Sequence, residues 1–165
     1  MTEGMDIANL AGQASVGSLV KLIDGRPFKE GYRRFKIKTV TGIDDYAMIA
    51  EVVRRRYKYA LRGEELRPDL ILIDGGLGHL RRAHRALNAL LLDATVTGSG
   101  THRPLATTLI SLAKKEELIY KQDHDEPIRL SAHAPARKLW QYVRGEAHRF
   151  AQHHHHILRA KEMFE

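Results

Sequence analysis

The spacing of apolar positions along this chain changes period several times, and each change marks a predicted element. From about Glu3 to Asn9 and from Ser15 to Ile23, short runs rich in apolar and β-branched residues predict two strands. Asp24-Gly25 predicts a tight hairpin turn into a third strand, Arg26 to Thr39, with Tyr32, Phe35 and Ile37 supplying its apolar faces. Past Gly42 the period lengthens. Asp44 or Asp45 serves as N-cap, and Ile49, Val52, Val53 and Tyr57 at helical spacing predict a helix to about Arg62. Pro68 then breaks the chain before an apolar strand, Leu70-Ile71-Leu72-Ile73, that ends in Asp74-Gly75-Gly76.

The glycines feed a second helix from about Leu77 to Leu92, apolar at Leu80, Ala83, Leu87, Leu90 and Leu91. Asp93 to Arg103, rich in Thr, Gly and Ser, reads as the least rigid loop. Ala106 to Leu112 predicts another strand, Leu118 to Tyr120 with Ile128 to Leu130 a small hairpin, and Pro135 to Lys161 a long closing helix. Three antiparallel strands followed by alternating helix and strand define an α/β class, a mixed sheet with helices on both faces and a small extra hairpin.

Composition narrows the picture. At 165 residues and 43% hydrophobic, residues 1–165 are expected to form one domain with a real core. The absence of cysteine excludes disulfides and thiolate metal sites, leaving Asp, Glu and His as ligands. No apolar run approaches the roughly 20 residues that span a bilayer, and the amino terminus lacks a secretory pattern, so no membrane partner and a cytoplasmic location are expected.

A net charge of +7 points to an anionic partner. Tyr32-Arg33-Arg34-Phe35-Lys36-Ile37-Lys38 interleaves bases with aromatics, Arg54-Arg55-Arg56-Tyr57-Lys58 repeats the mixture on a helix, and Arg81-Arg82-Ala83-His84-Arg85 adds a third run. Nucleic acid suits three such runs. The plainer reading of the first two is that they are the solvated faces of one strand and one helix.

Two carboxylates stand out. Asp74 ends an apolar strand before two glycines, where it either caps the following helix or joins a metal site. Asp6 sits in an apolar, strand-like context, either as an ordinary strand-end residue or as a partner for Asp74. If the two strands are parallel neighbours, their carboxyl ends meet where the strand order reverses, a position that favours ligands. His148 lies on the late helix, followed by Gln152 and the run His153 to His156. Successive helical residues point about 100° apart, so that run cannot ligate one ion, whereas His148 and His155 share a face. Gly76-Leu77-Gly78 is not a dinucleotide fingerprint, since Arg81 stands where the third glycine belongs. Neither a phosphate-binding Lys loop nor a Gly-x-Ser-x-Gly elbow is present.

Several strings together carry a resemblance. Asp6-Ile7-Ala8-Asn9 with Val16-Gly17-Ser18, Tyr32 to Lys38, Asp44-Asp45-Tyr46, Pro68 to Gly76, Pro127-Ile128-Arg129-Leu130 and Glu146-Ala147-His148-Arg149-Phe150-Ala151 resemble, in order, the carboxy-terminal nuclease domain of the UvrC family. The resemblance spans nearly the whole chain. It implies an RNase H-like fold with a five-stranded mixed sheet, and metal-dependent cutting of damaged double-stranded DNA on the 5′ side of a lesion in bacterial nucleotide excision repair. It implies that Asp6, Asp74 and His148 match the catalytic Asp-Asp-His positions and serve Mg²⁺ or Mn²⁺, with His148 either a third ligand or a proton-transfer group. Arg33, Arg34, Lys36 and Arg149 would grip the DNA backbone. The chain departs from the family pattern at Leu77, where Lys is usual, at His79 in place of Gln, and at Gly145 in place of Asp. Contacts with a UvrB-type repair complex would run through domains absent from this chain. A catalytically weak DNA-binding module is the alternative reading, and a protein-docking domain is a third.

Overall fold

A computed structural model describes residues 1–9, 15–96 and 106–164, with side chains described as far as residue 153 apart from Glu116. The elements are β1 (Thr2–Ala8), β2 (Val16–Ile23), β3 (Arg26–Pro27), β4 (Arg33–Lys36), α1 (Asp45–Leu61), β5 (Leu70–Asp74), α2 (Leu77–Val96), β6 (Thr108–Ala113), β7 (Leu118–Lys121) and α3 (Pro135–Phe164). Among the described residues they build one seven-stranded mixed sheet in the order β3-β2-β1-β5-β6-β7, with β4 also paired to β2. β1 runs antiparallel to β2 and parallel to β5, β5 runs parallel to β6, and β7 closes the edge antiparallel to β6.

The α/β class and the alternation of layers follow the hydrophobic pattern, but the strand count rises from the five expected. The long third strand is interrupted. Its chain leaves the ladder after Pro27 and rejoins at Arg33, so that Phe28 to Tyr32 face only Val20 and Lys21. Pro27 cannot donate a ladder hydrogen bond, and a 3-10 turn at Lys29–Gly31 takes up the surplus residues. The hairpin turn itself forms, with Asp24 at φ 51° and Gly25 at φ 75°. The expected extra hairpin shrinks to one bridge, Ile119 to Ile128, made on the edge of Leu118–Lys121 that does not pair with β6. α2 continues to Val96, so part of the segment read as a loop from Asp93 is helical, and the rest of it to Arg103 lies outside the described residues.

Alternation along the strands sorts the core into two layers. Met5, Leu19, Ile71, Ile73 and Leu109 face α1 and α2, where Ile49, Val52, Val53, Leu80 and Leu87 meet them. Val20, Leu22, Leu72, Ile110 and Leu112 face α3 at Val143 and Ala147. Each fully buried aliphatic side chain contributes about 1.5–3 kcal/mol of transfer free energy. Gly4 is required by the second layer: a Cβ there would stand 2.5 Å from Val143 Cγ1, so its absence lets α3 lie close on β1.

One basic run is largely structural. Arg56 and Tyr57 of the Arg54 to Lys58 stretch are buried, and both bond the fully buried Glu3, Arg56 Nη2 to Oε1 at 2.6 Å and the Tyr57 hydroxyl to Oε2 at 2.7 Å. Lys21 adds a contact at 3.6 Å, and Glu65 binds the other side of the guanidinium. Arg55 reaches Glu51, leaving Arg54 and Lys58 exposed. A helix facing a sheet must bury every third or fourth residue, and here that residue is a cation matched to a buried carboxylate.

Candidate active site

The parallel pairing of β1 and β5 places Met5 opposite Ile73, so the next residues, Asp6 and Asp74, lie side by side at the carboxyl edge of the sheet. Period-two alternation turns both toward α3, the face that Gly4 and Leu72 also share. Asp6 is 6% exposed and the Asp74 side chain 3%.

α3 supplies the third group. Ser18 Oγ, on the strand beside Asp6, donates to the Ala147 carbonyl at 3.1 Å and ties this turn of the helix to the sheet. The next residue is His148, whose Nδ1 lies 3.2 Å from Asp6 Oδ2. Its Nε2 lies 2.9 Å from the Gln152 side-chain nitrogen, one helical turn on. An amide N–H there donates to Nε2, which leaves the proton of the neutral ring on Nδ1, donating to Asp6.

The electrostatics are those of a strained pair. Burial first, and then the nearby charge of Asp74, push the Asp6 carboxyl above its ordinary value, with His148 and Lys114 pulling the other way. Asp74 Oδ2 lies 3.4 Å from Lys114 Nζ, while its Oδ1 is buried without a hydrogen-bond partner among the described residues. Neither oxygen caps α2, whose first turn instead closes from Leu80 N to the Gly76 carbonyl. The helix-cap reading of Asp74 is therefore set aside. Gly75 makes the sharp exit at φ 152°, where a Cβ would overlap the His79 ring at 2.5 Å.

The basic strand adjoins this site. Asp6 pairs with Ser18 and Ser18 with Arg34, which sets Arg34 about 10 Å from Asp6, two strand spacings away on the same face. Arg34 lies 3.9 Å over the Phe150 ring and donates to the Phe150 carbonyl at 3.3 Å. Arg33 folds back on the Glu30 and Tyr32 carbonyls while staying exposed, and Lys36 is exposed. Arg149 is half-exposed and makes two 2.7 Å bonds to Glu146, which also accepts from the Tyr32 hydroxyl at 2.9 Å.

Asp6, Asp74 and His148 are thus brought together; Arg34 and Lys36 share their face of the sheet, whereas Arg33, paired with Leu19, turns to the opposite face and Arg149 is held by Glu146. Lys114 and Gln152 belong to the same site and were missed. Lys114 lies just past the predicted end of its strand, and the signal for Gln152 was its place four residues after His148 on one helix face. His153 is exposed, and the side chains of His154 to His156 lie outside the described residues. Among the described residues no group of three or more His, Asp or Glu side chains is placed to hold a metal ion. The arrangement is instead an open one: two carboxylates, one oxygen of which lacks a partner, beside an imidazole engaged at both nitrogens.

A mixed sheet carrying two carboxylates at its carboxyl edge under a helical histidine is an RNase H-like α/β arrangement. Residues 1–152 match the family described as the UvrC RNAse H endonuclease domain, and the chain belongs to that family. UvrABC system protein C of Methanosarcina mazei is 43% identical over 99% of this chain and 29% of its own length. The protein of that name from Koribacter versatilis is 45% identical over 90% of this chain and 23% of its own. The chain therefore spans less than a third of the length of these relatives. A solved Ciona intestinalis endonuclease V in complex with inosine-containing DNA aligns with a TM-score of 0.43 and 20% identity, covering 68% of this chain and 45% of that one. Among the described residues no helix is long and apolar enough to cross a membrane.

Proposed function

We propose that this chain is a divalent-metal-dependent DNA endonuclease domain that makes the 5′ incision of nucleotide excision repair by phosphodiester hydrolysis at Asp6, Asp74 and His148. The observation that carries the reading is the pair of buried carboxylates on adjacent parallel strands, with Asp74 Oδ1 lacking a partner among the described residues. Buried carboxylate oxygens are costly unless matched, and a hard cation matches them. The donor set fits Mg²⁺ or Mn²⁺, which are commonly held by one or two carboxylates with water and phosphate completing the shell. Asp6 and Asp74 would hold the ion, with His148 as a third ligand or as a proton-transfer group. When bound, such an ion stabilises charge on the phosphate oxygens and lowers the pKa of water.

The residues themselves do the rest. Asp74 fixes one wall of the site at the end of a buried strand. Asp6 is oriented by the His148 ring, and that ring has its proton at Nδ1, where it serves proton movement at the carboxylate. The β4 cations and Arg149 hold the DNA backbone without reading bases, so the substrate is damaged double-stranded DNA whose lesion is chosen elsewhere. A UvrB-type complex in the cytoplasm, reached through other domains, is the matching partner.

Nicking of supercoiled plasmid tests this. Activity with Mg²⁺ or Mn²⁺ that EDTA abolishes is expected, and nicking that persists in EDTA would count against it. A second reading, a DNA-binding module of weak catalytic power, is favoured by the engagement of both His148 nitrogens. It predicts salt-sensitive binding with no metal-dependent nicking.

A further inference from the structure

Lys114 stands where no role has been assigned, and its placement is specific. β5 and β6 are parallel, with Asp74 opposite Leu112. Lys114 follows the end of β6 in helical backbone conformation, φ −61° and ψ −41°, just before a 3-10 turn at Lys115–Glu117, and its side chain reaches Asp74. Its Nζ lies 3.4 Å from Asp74 Oδ2, yet the side chain is 69% exposed. The ammonium is thus held to a buried carboxylate by charge alone, on a flexible stem with water on the other side. The ammonium itself is exposed and β6 is already secured by its ladders to β5 and β7, so what Lys114 supplies is charge compensation for the buried Asp74. A duty to the strand does not account for the placement.

We infer that Lys114 is a phosphate-contacting residue of this site, one that neutralises Asp74 in the ion-free domain and moves to an oxygen of the scissile phosphate when a divalent ion takes the carboxylates. The inference rests on the nuclease reading above. Lysine suits the exchange, since its ammonium is a compact point charge with rotatable donors on a long chain and binds phosphate without demanding fixed geometry. In such a site Asp74 and the scissile phosphate are neighbours, so an ammonium 3.4 Å from Asp74 Oδ2 has little distance to travel between them.

The two duties oppose one another in the variant Lys114→Met. Removing a cation that competes for Asp74 should tighten binding of Mn²⁺ alone to the 165-residue chain by several-fold, read by electron paramagnetic resonance without DNA. Removing the phosphate contact should slow plasmid nicking by roughly a hundredfold. Lys114→Arg should recover part of the rate, and circular dichroism should show the fold retained in both variants, with a lower melting temperature for Lys114→Met because buried Asp74 loses its compensating charge. Weaker Mn²⁺ binding together with slower nicking would make Lys114 a structural support and overturn the inference, as would no change in either. If wild type binds Mn²⁺ but Asp74→Asn does not weaken that binding, the error lies in the nuclease reading. A wild-type chain that neither binds Mn²⁺ nor nicks DNA overturns both.

Discussion

His148 Nδ1 stands 3.2 Å from Asp6 Oδ2, joining residues 142 positions apart through a helix on one face of the sheet. The contact makes the ring and the carboxylate one unit. It also leaves Asp74, on the next strand, with a different partner in Lys114.

Asp6 carries a pH signature. Burial and the charge of Asp74 raise its pKa, so the folded chain keeps this proton at pH values where the unfolded chain has lost it. Stability therefore falls as pH rises out of the ordinary carboxylate range and through the folded pKa, and the cost persists at neutrality. Asp6→Asn is expected to raise Tm near neutral pH, with the gain shrinking in acid. Melting curves across pH check this, and a gain that grows in acid would contradict it.

Asp74→Asn should abolish metal-dependent nicking while leaving the fold intact. Loss of about 3 kcal/mol of transition-state stabilisation corresponds to about two orders of magnitude in rate. Plasmid nicking with circular dichroism as the folding control measures both, and unchanged nicking would defeat the assignment.

Glu51 works in the opposite sense to Asp6. Burial alone would raise its pKa, but bonds from the Thr39 hydroxyl at 2.6 Å and backbone at 2.9 Å, from Lys38 N at 3.0 Å and from Arg55 at 3.0 Å lower it to about 2. A depressed carboxylate contributes stability above its unfolded value, and that stability is lost as pH falls from 4.5 toward about 2. Glu51→Gln is expected to cost about 2–3 kcal/mol at neutral pH. Urea denaturation at neutral and acid pH measures it, and the cost should vanish once Glu51 is protonated.

Lys36 is exposed on the strand face that carries Asp6, whereas Arg33 turns to the other face and bonds the Glu30 and Tyr32 carbonyls, Arg34 is engaged with Phe150 and Arg149 with Glu146. Lys36→Ala should reduce the slope of log K against log salt for duplex DNA by about 1, and Arg33→Ala by less. Arg149→Ala should instead also lower the melting temperature, because it strips Glu146 of a partner. Fluorescence anisotropy across a salt series separates the cases.

Much of this was legible in the sequence because the decisive signals are local. Asp44 caps α1 as its position implied, accepting from Ala47 N at 2.9 Å, and the apolar run before Asp74 could hardly be anything but an inner strand. The adjacency of Asp6 and Asp74 followed from topology, since a meander extended by a crossover puts its first strand beside the next. What escaped depended on contacts distant in sequence. Nothing near Arg56 announces Glu3, so a buried ion pair looked like a nucleic-acid grip. The break in the third strand hinged on Phe28 to Tyr32 outnumbering the residues across from them, which pattern alone does not count. Lys114 was overlooked because it lies in the turn after Ala113, where the apolar pattern of the strand says nothing.

The bare backbone at Gly4 sets a distance elsewhere. Val143 rests in the space a methyl group would fill, and His148 rides the same helix little more than one turn further on. The reach of the imidazole toward its carboxylate is thus gauged by an omitted carbon atom, and a single added methyl beneath the helix would be felt at the far end as a widened gap between acid and base.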